Sequence, residues 1–479
     1  MSKPIFIHWF RRDLRLGDNP ALTAAVDAAR EADGQLLLLY IHDDATAGDW
    51  KWGGAHRWWL NQSLKSLGDA IAERGNALVL KHGQSEQIIE ELCEAHDVRG
   101  VFWNRCYEAF AIERDKAIKQ TLKDRSIAVE SFNGSVLNEP WTIETKTGGP
   151  YRVYTPYWRA VLDKGGITEP LAAPSDLPSA PGINGEALDS WNLHPTGPDW
   201  SGGLAERWTP GEGHAAERLS KFLDGKVTAY DERRDYPGEH GTSRLSPHLH
   251  WGEISPRQIW HAVVERHGIG DHTKTYLKEI VWREFSYHLL YHYPHLPTDP
   301  LQAKFDKFPW REDAEDLKAW QDGMTGIPIV DAGMRELYET GWMHNRVRMI
   351  VGSFLVKNLL LHWTEGEHWF WDCLVDGDLA SNSAGWQWIG GCGADAAPYF
   401  RVFNPVTQGE RYDKDGAYVR RFVPELRDLP DKYLHQPWEA PPIVLQGAGV
   451  KLGSTYPKPR VDLKQSRQRA LDAFQTIKN

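Results

Sequence analysis

Short hydrophobic runs recur along the first 135 residues, and longer stretches with helical periodicity separate them. Runs with the length of buried strands cover residues 5–10, 36–40, 77–80, 100–103 and 127–132. Between them, Asn19 before Pro20 predicts a capped helix start, and Ser85 is predicted to cap another helix. Because buried strands that alternate with helices form parallel sheets, this part of the chain is predicted to be a parallel α/β domain.

Proline and glycine become frequent between residues 138 and 213, which is typical of a long connector. Beyond the connector the apolar positions follow helical spacing. Helices are predicted over residues 217–223, 256–267, 276–291, 331–340, 345–361 and 463–477. The predicted organisation is an α/β domain over residues 1–135, a linker over 136–205 and a large all-helical domain over 206–479.

Composition narrows the possible functions. Tryptophan, with 23 residues, outnumbers tyrosine with 17 and phenylalanine with 15, which indicates a use of indole rings beyond packing. The net charge of -11 argues against a general nucleic-acid coat but leaves room for a local basic face. The four cysteines form no Cys-x-x-Cys pair, and no apolar run has the length of a membrane span. We therefore expect a soluble, cytoplasmic protein without disulfides or a bound metal.

The segment from residue 376 to residue 388 carries the strongest chemical signal. It contains two carboxylates, one amide and two indoles, namely Asp376, Asp378, Asn382, Trp386 and Trp388. Carboxylates and an amide recognise the polar edge of a heteroaromatic ring, while indoles offer stacking faces and oxidisable rings. The combination favours a bound flavin with an aromatic electron route. The alternative is an ordinary Asp-Gly-Asp turn followed by core tryptophans.

Two further segments carry candidate chemistry. Glu279 and Trp282 are three positions apart and share a helix face, which suits ligand binding; the alternative is a simple ion pair of Glu279 with Arg283. Residues 242–246 place hydroxyls and a guanidinium at a predicted helix start, where backbone amides favour an anion such as a pyrophosphate. Hydroxyls also cap helices without any ligand, so capping is the alternative there.

A mixed face is also predicted at the start of the helix after residue 344. Asn345, Arg346 and Met349 combine an amide, a guanidinium and a thioether, which suits a planar ligand that bears carbonyl groups. The alternative is a capping turn followed by an amphipathic helix. Arg348 has the further alternative of acting only as a counter-ion for the carboxylates of residues 376–378.

With these segments in view, the chain resembles the photolyase/cryptochrome family over nearly its full length. The motifs that carry the resemblance occur in the same order, at residues 9–15, 230–237, 242–246, 282–285, 341–346 and 376–405. The resemblance implies an N-terminal Rossmann-like parallel α/β domain that binds an antenna chromophore, a long linker, and a large C-terminal all-helical FAD-binding domain.

The resemblance also implies roles around FAD. The diphosphate and ribityl contacts would come from Tyr230, Thr242, Ser243, Leu245 and Ser246, with Arg283 as a further cofactor contact. Arg348 would pair with Asp376, Asp378 would face the flavin or its ribityl chain, and Asn382 would lie opposite flavin N5. The tryptophans that carry electrons from the surface to the flavin would be Trp386, Trp363 and Trp310, in that order outward, although Trp363 also fits a core position.

The substrate-side positions point to one branch of the family. Residues that match the pocket for cyclobutane pyrimidine dimers are Glu279, Trp282, Asn345, Arg346, Met349 and Trp388. An enzyme for (6-4) lesions would carry a histidine at residue 345, and plant-type cryptochromes usually carry aspartate at 382, tyrosine at 388 and a long C-terminal extension. Arg234, Arg346 and Arg401 are candidates for contacts with DNA phosphates.

The implied function is light-driven repair of dimers in UV-damaged DNA by a monomeric lyase close to the bacterial class III photolyases. A dimer interrupts base stacking, so its extrusion from the duplex costs less than that of normal bases. The alternatives are a cryptochrome that acts as a blue-light photoreceptor and, from another class, a flavin oxidoreductase that works in the dark.

The antenna chromophore is less defined. Residues 104–110 lack the Asn-Glu pair that some folate-binding members use. The expected antenna is 5,10-methenyltetrahydrofolate with Glu108, Trp50 and Trp52 as contacts, and the alternative is 8-hydroxy-5-deazaflavin.

Overall fold

The computed structural model describes residues 3–395 and 400–478. The chain forms two compact units, one of residues 1–227 with 243–294 and one of residues 228–242 with 295–479. The first unit thus includes the segment predicted as a linker and the helices as far as residue 294, which differs from the predicted division at residues 135 and 205. Within the described ranges, no helix is long and apolar enough to cross a membrane.

A parallel five-stranded sheet forms the centre of the first unit, with the spatial order β3-β2-β1-β4-β5. The strands are β1 (Ile5–Phe10), β2 (Gln35–His42), β3 (Leu78–His82), β4 (Val98–Asn104) and β5 (Ala128–Phe132). In the central strand, Ile7 pairs with Leu37 on one side and with Val101 on the other. All three side chains are buried, as expected for a parallel sheet with helices on both faces. The predicted parallel α/β fold is confirmed, and each predicted strand overlaps an observed one.

Helices surround this sheet and continue beyond it in the first unit. They are α1 (Pro20–Glu31), α2 (Asp44–Ala47), α3 (Gly54–Ala72), α4 (Ser85–Ala95), α5 (Ala109–Asp124), α6 (Tyr154–Lys164), α7 (Gly202–Arg207), α8 (Glu212–Leu223), α10 (Ser246–His250), α11 (Pro256–His267) and α12 (Asp271–His292). The Asn19 side chain accepts from Leu22 N at 3.1 Å, so the predicted cap of α1 is confirmed.

The predicted cap at Ser85 is wrong. Ser85 is the first residue of α4, and its hydroxyl donates to Asp43 Oδ2 at 2.7 Å instead of accepting from the helix. The same carboxylate oxygen also accepts from the backbone N–H of Ser85 at 2.9 Å. A carboxylate directly after β2 is a stronger acceptor than the hydroxyl, so it takes the orphan amide at the start of α4.

The proline-rich segment packs against the sheet through hydrogen bonds to its backbone. Its backbone carbonyl groups accept hydrogen bonds from Leu36 N, through Ser179 at 3.0 Å, and from Asn76 Nδ2, through Pro178 at 2.7 Å. The buried backbone N–H of Leu36 in β2 and the buried amide of Asn76, just before β3, therefore have hydrogen-bond partners. The segment therefore belongs to the packing of the first unit.

The second unit is helical among its described residues. Its helices are α9 (Tyr230–Arg233), α13 (Ala314–Gln321), α14 (Pro328–Thr340), α15 (Asn345–Ser353), α16 (Trp363–Cys373), α17 (Leu379–Gly390), α18 (Pro405–Tyr412), α19 (Ala417–Phe422), α20 (Asp431–Leu434), α21 (Pro442–Gly447) and α22 (Leu463–Gln475). Helices α14, α15, α16 and α17 pack around a core that includes Trp320, Phe370 and Trp386.

The predicted helix over residues 345–361 is wrong in its second half. Helix α15 ends at Ser353, a π-helical turn follows from Phe354 to Leu359, and Leu360 adopts a left-handed conformation with φ 58°. The turn contains Lys357, which is 1% exposed. Its ammonium lies 3.6 Å from the centroid of the Phe400 ring and 3.4 Å from the carbonyl oxygen of Arg401. Periodicity could not reveal the wider turn because every residue in it is apolar or buried.

Burial lowers the pKa of Lys357 to about 7, and Cys392 opposes this shift. The unfolded chain therefore binds more protons than the folded chain between about pH 7 and the ordinary lysine pKa of about 10.4, and stability gains up to about 1.4 kcal/mol per pH unit there. Below about pH 7 the Lys357 ammonium is charged in both the folded and the unfolded chain, and the free-energy cost of burying it lowers the stability of the fold. We expect Lys357→Met to be more stable than wild type near pH 7 and to lose this advantage as the pH rises.

Urea unfolding at a series of pH values measures this difference. Lys318→Met, at an exposed helical position, serves as the control and should show no such trend. A constant stability difference between Lys357→Met and wild type across the pH series would contradict the assignment.

Candidate active site

A buried ion pair joins α15 to the turn before α17 in the second unit. Arg348 Nη2 lies 2.9 Å from both carboxylate oxygens of Asp376, and Arg348 Nε donates to the carbonyl oxygen of Met343 at 2.8 Å. The Asp376 side chain is 2% exposed, whereas that of Arg348 is 23% exposed. The pair expected from the resemblance is present, and a carboxylate that is cut off from water depends on this guanidinium.

The first turn of α17 presents two more buried polar side chains. Asp378 is the N-cap of the helix, and its Oδ1 accepts from Ser381 N at 2.9 Å. Asn382 follows one turn later, and its Nδ2 donates to the carbonyl oxygen of Glu367 at 3.0 Å. The sequence folds this way because a carboxylate satisfies the orphan amides of a helix start. As a result, Asp376, Asp378 and Asn382 lie along the same end of α17.

Asn382 retains hydrogen-bonding capacity. The residue is 8% exposed, and no donor among the described residues reaches its Oδ1, which is not sealed from solvent. The oxygen can therefore accept a hydrogen bond from a donor on a bound ligand. The N–H groups of a flavin ring are donors of this kind, so the site fits the cofactor that the resemblance implies.

A buried acid lies behind Asn382. Glu367 Oε1 accepts from the Ser383 hydroxyl at 2.5 Å, and its Oε2 has no partner in the described part of the chain. Burial raises the pKa of Glu367 well above its usual value, so the surroundings favour the uncharged form of this side chain. Its backbone carbonyl holds the Asn382 amide and therefore fixes the direction of the free oxygen.

Gly366 makes room for the indole of Trp386. A Cβ atom on Gly366 would lie 2.0 Å from Trp386 Cη2, whereas one on Gly352 would meet Ile389 Cδ1 at 2.8 Å. The indole, which is 2% exposed, also packs edge-to-face on Phe370 at 4.9 Å between ring centroids. The position of the Trp386 indole therefore depends on the absence of a side chain at residue 366 of α16.

We expect Gly366→Ala to displace the Trp386 indole and to lower the stability of the fold by about 1–3 kcal/mol, because an added methyl group overpacks a filled core. Thermal unfolding and near-ultraviolet circular dichroism measure the two effects. Gly385→Ala is the matched control, since a Cβ atom there meets nothing within 4 Å. Equal behaviour of the two variants would show that α16 does not hold the indole.

The other two tryptophans of the predicted route lie farther along the same unit. Trp363 is 1% exposed and Trp310 is half-buried. The His362 ring lies between them, 5.1 Å from the Trp310 centroid and 5.5 Å from the Trp363 centroid. A backbone bridge between Arg311 and Leu361 ties the two segments together. The placement suits both an electron route and, for Trp363, the core position that the sequence left open.

The start of α15 presents the mixed face that its sequence predicted. Asn345 is exposed, while Arg346 and Met349 are half-buried. The guanidinium of Arg346 pairs with Asp235 at 2.8 Å and lies 4.4 Å from the centroid of the Tyr412 ring. The predicted capping turn is also present, because His344 Nδ1 accepts from Arg346 N at 3.1 Å.

The remaining polar candidates of the second unit lie at or near the surface. Arg234 is half-buried over the ring of Tyr230, at 5.3 Å, and Arg401 is exposed over Phe403, at 5.0 Å. Thr242 and Trp388 are half-buried. Stacking on an aromatic ring orients the plane of an arginine guanidinium.

In the first unit, Glu279, Trp282 and Arg283 share α12 and are all half-buried. The Trp282 ring stacks on Tyr154 with 3.6 Å between centroids and 9° between planes. Arg283 donates to the carbonyl oxygen of Ser135 at 2.7 Å and to the Tyr287 hydroxyl at 3.2 Å. The guanidinium thus ties α12 to the segment after β5, and the stack fixes the plane of Trp282.

Residues 243–246 of the first unit form the predicted helix start. Helix α10 begins at Ser246, with Pro247 in its first turn, and Leu245 is 1% exposed. Leu245 N donates weakly to Ser243 Oγ at 3.4 Å. Arg244 adopts a positive φ of 54°, which turns the chain before the helix.

The antenna candidates differ in their surroundings. Glu108 is buried, 4% exposed, and forms an ion pair with Arg12. Trp52 packs on Trp251 with 5.0 Å between ring centroids, and Trp50 is half-buried in a short 3₁₀ turn. A carboxylate that is already paired inside the first unit is a poor contact for a chromophore, so the two indoles are the better candidates.

Two groups bear on metal binding in the first unit. The buried His288 side chain accepts from Tyr151 N at 3.0 Å and lies 3.0 Å from the carbonyl oxygen of Pro140. Both ring nitrogens therefore serve the backbone. In the described residues, side chains of Glu169, His261 and Glu265 come within 4.8 Å of one another, but the two carboxylates are exposed.

Sequence reasoning missed three residues that shape the site: Tyr154, Gly366 and Glu367. Tyr154 comes from the segment predicted as a linker, and Gly366 and Glu367 belong to α16, which the sequence did not predict. A signal was available for Gly366 and Glu367. They follow Trp363 in a helical stretch, and one turn of a helix brings such residues to a shared face.

Comparison with known proteins supports the same interpretation. Residues 6–175 match the family model described as DNA photolyase, and residues 276–476 match the FAD binding domain of DNA photolyase, which supports FAD as the cofactor. The deoxyribodipyrimidine photo-lyase of Agrobacterium fabrum is 50% identical over 484 positions, which cover 100% of this chain and 98% of that protein. Cryptochrome-1 of Arabidopsis thaliana is 37% identical over 98% of this chain and 70% of that protein.

The three-dimensional comparison agrees with the sequence relatives. A crystal structure of a bacterial class III photolyase from Agrobacterium tumefaciens matches with a TM-score of 0.95 at 50% identity, and the match covers 100% of this chain and 98% of that one. The fold, the ordered motifs and these relatives lead to one conclusion: the chain belongs to the photolyase/cryptochrome family.

Proposed function

We propose that this protein is a deoxyribodipyrimidine photo-lyase that uses blue or near-ultraviolet light to split cyclobutane pyrimidine dimers in DNA. The observation that carries the proposal is the amide oxygen of Asn382, which no donor among the described residues reaches, in the helix that follows the Asp376 carboxylate paired with Arg348. The chain is 50% identical to a deoxyribodipyrimidine photo-lyase, and in our proposal this oxygen would face the flavin.

Bound FAD would supply light absorption and one electron for the dimer. The electron would return after two carbon-carbon bonds of the dimer have broken. The residues proposed to hold FAD are Tyr230, Thr242, Ser243, Leu245, Ser246, Arg283, Arg348, Asp376, Asp378 and Asn382. Asn382 would accept a hydrogen bond from the ring, while Arg348 holds the Asp376 carboxylate in place. Burial raises the pKa of Glu367, and the uncharged form that burial favours would not oppose negative charge on the ring.

Trp386, Trp363 and Trp310 would pass an electron inward when the protein holds oxidised cofactor. Each transfer needs an oxidisable ring close to the next, and the backbone bridge between residues 311 and 361 keeps the outer two segments adjacent. The inner indole packs directly against the backbone at Gly366. These residues recharge the enzyme and take no part in splitting the dimer.

The dimer itself would be recognised by Glu279, Trp282, Asn345, Arg346, Met349 and Trp388. Trp282 and Trp388 would line the sides of the pocket, and the stack of Trp282 on Tyr154 orders its ring before substrate arrives. Glu279 would hydrogen-bond to a pyrimidine carbonyl and stabilise the negative charge that develops there. Arg234, Arg346 and Arg401 would hold phosphates on either side of the lesion.

Illumination of chemically reduced protein with an oligonucleotide that contains one thymine dimer tests the proposal. Restored thymine, measured by the recovery of base absorbance, should increase with light dose and stay at the background level in the dark. Undamaged DNA should bind more weakly, and binding should weaken further as the salt concentration rises. We propose that the protein acts as a monomer, which size-exclusion chromatography of the complex with DNA tests.

We expect Glu279→Ala to lower the repair rate by about tenfold or more, because the pocket loses a hydrogen bond that strengthens as charge develops. Flavin content, read from the absorption spectrum, should remain close to that of wild type. Glu265→Ala removes an exposed carboxylate of α11 and serves as the control. A variant at residue 279 that loses its flavin would move Glu279 from the substrate to the cofactor.

For the antenna we propose 5,10-methenyltetrahydrofolate, with Trp50 and Trp52 as contacts and Glu108 as a weaker candidate. Both indoles are half-buried, so part of each side chain reaches the surface, which supports this choice. The absorption spectrum of purified protein tests it: folate adds a near-ultraviolet band, whereas 8-hydroxy-5-deazaflavin adds one farther into the blue. A spectrum with flavin bands alone would contradict both chromophores.

A blue-light photoreceptor is the second candidate, supported by the 37% identity to Cryptochrome-1 over 98% of this chain. The side chains at residues 382 and 388 are asparagine and tryptophan, which favour repair. If reduced, illuminated protein binds flavin but restores no thymine, the photoreceptor becomes the better interpretation.

A further inference from the structure

A groove of about 640 Å³ lies at the surface of the second unit beside the outer end of the tryptophan route. Helix α22 contributes Gln468, Arg469 and Asp472 to its lining, and the opposite side is formed by Pro309, Arg311 and Leu360. Pro309 and Arg311 are the two chain neighbours of Trp310. A molecule in the groove would therefore be in contact with the segment that carries this indole.

The segment around Trp310 is held in place on both sides. Arg311 N donates to the carbonyl oxygen of Leu360 at 2.8 Å, and Arg311 Nη1 donates to that of Leu359 at 2.9 Å. The half-buried Trp310 ring packs on Phe308 with 4.4 Å between centroids. These contacts hold the Trp310 segment, and with it the indole, in place at the side of the groove.

The charges in the groove favour an anion. Arg469 Nη2 donates to the carbonyl oxygen of Asn358, at 2.6 Å, and within the described ranges Arg469 forms no ion pair. Burial lowers the pKa of Arg469, and the nearby Arg311 lowers it further, so both effects disfavour this cation. Asp472 accepts from Gln468 at 2.8 Å, whereas Arg311 is already paired with Asp313 at 2.9 Å. An anionic ligand would neutralise the one guanidinium of the lining that lacks a carboxylate partner.

We propose that this groove binds a small anionic one-electron donor, such as an enediolate, which restores Trp310 after it has passed an electron inward. The inference rests on the tryptophan route of the proposed function. An indole that has lost one electron releases its ring N–H proton to water and becomes a neutral radical. The bound enediolate gives up one electron, the indole nitrogen takes back one proton from water, and the donor is left as its one-electron oxidised radical.

Flash photolysis of the flavin-loaded protein with ascorbate as the donor tests the groove. In wild type the decay rate of the tryptophan radical should saturate with ascorbate concentration, because a bound donor reacts. Arg469→Gln should need about threefold to fivefold more ascorbate, the loss expected for one exposed ion pair. Arg467→Gln removes an exposed arginine of the same helix that does not line the groove, and it should behave like wild type.

Neutral hydroquinone is the control donor, and its rates should be linear in concentration and equal in all three proteins. A linear dependence on ascorbate in wild type, or equal effects of the two arginine variants, would overturn the proposal. Saturation-transfer NMR with ascorbate in the dark measures binding without photochemistry, and the signal should weaken in Arg469→Gln alone. If a flash produces no tryptophan radical, the route of the proposed function fails, while the dark NMR result still decides whether the groove binds the anion.

Discussion

Trp386→Phe should slow light-driven reduction of bound, oxidised FAD by more than about tenfold, while chemically reduced variant repairs dimers at close to the wild-type rate. The reason is chemical: a phenyl ring packs in the same place but gives up an electron far less readily than an indole. Trp386 lies in α17 one turn after Asn382, buried against Phe370. Trp386 is therefore the first oxidisable side chain in α17 after Asn382, which is proposed to contact the flavin.

Trp320→Phe provides the matched control for this experiment. Its ring lies 6.1 Å from that of Trp386, is equally buried, and donates to the carbonyl oxygen of Val351 at 3.0 Å. The two variants should lose similar packing, but only Trp386→Phe should lose photoreduction. Equal photoreduction in both variants would remove Trp386 from the route, and loss of repair by reduced Trp386→Phe would give this indole a role in substrate binding.

Arg348→Met should destabilise the protein by about 3–5 kcal/mol and abolish flavin binding, because it strands the Asp376 carboxylate away from water. The Asp376 side chain is 2% exposed, and both of its oxygens lie 2.9 Å from Arg348 Nη2. Urea unfolding measures the stability, and the absorption spectrum measures the flavin. Arg266→Met is the control, because Arg266 and Asp224 form an exposed pair whose loss should cost about 1 kcal/mol or less.

The double variant Arg348→Met with Asp376→Leu separates stability from binding. Removal of both charges leaves no stranded carboxylate, so much of the lost stability should return. Flavin binding should remain lost if the pair orients the cofactor. A double variant that regains both properties would show that the pair serves only the fold.

The sheet could be predicted from the sequence because each buried strand is a continuous apolar run between helical stretches, as in residues 5–10. The cap at Asn19 could be predicted because a proline follows it. Ser85 could not, since the competing carboxylate of Asp43 comes from a distant part of the chain. The end of α15 could not either, because the π-turn hides Lys357 among apolar residues.

The candidate site divides in the same way. Asp376, Asp378 and Asn382 could be found because they occur within one short segment with a known chemical pattern. The contact of Tyr154 with Trp282 and the space that Gly366 leaves for Trp386 depend on packing between separate helices. Spacing along the chain carries no information about such contacts, so they could not be predicted from the sequence.

The most direct test is a single-flash experiment on the complex with a dimer-containing oligonucleotide, in which the oxidation state of the bound flavin is set beforehand. With fully reduced flavin, each flash should restore thymine in proportion to the light absorbed, and with oxidised flavin the same flash should restore none. Equal yields from both states, or no thymine from the reduced protein while the dimer is bound, would contradict electron-driven repair.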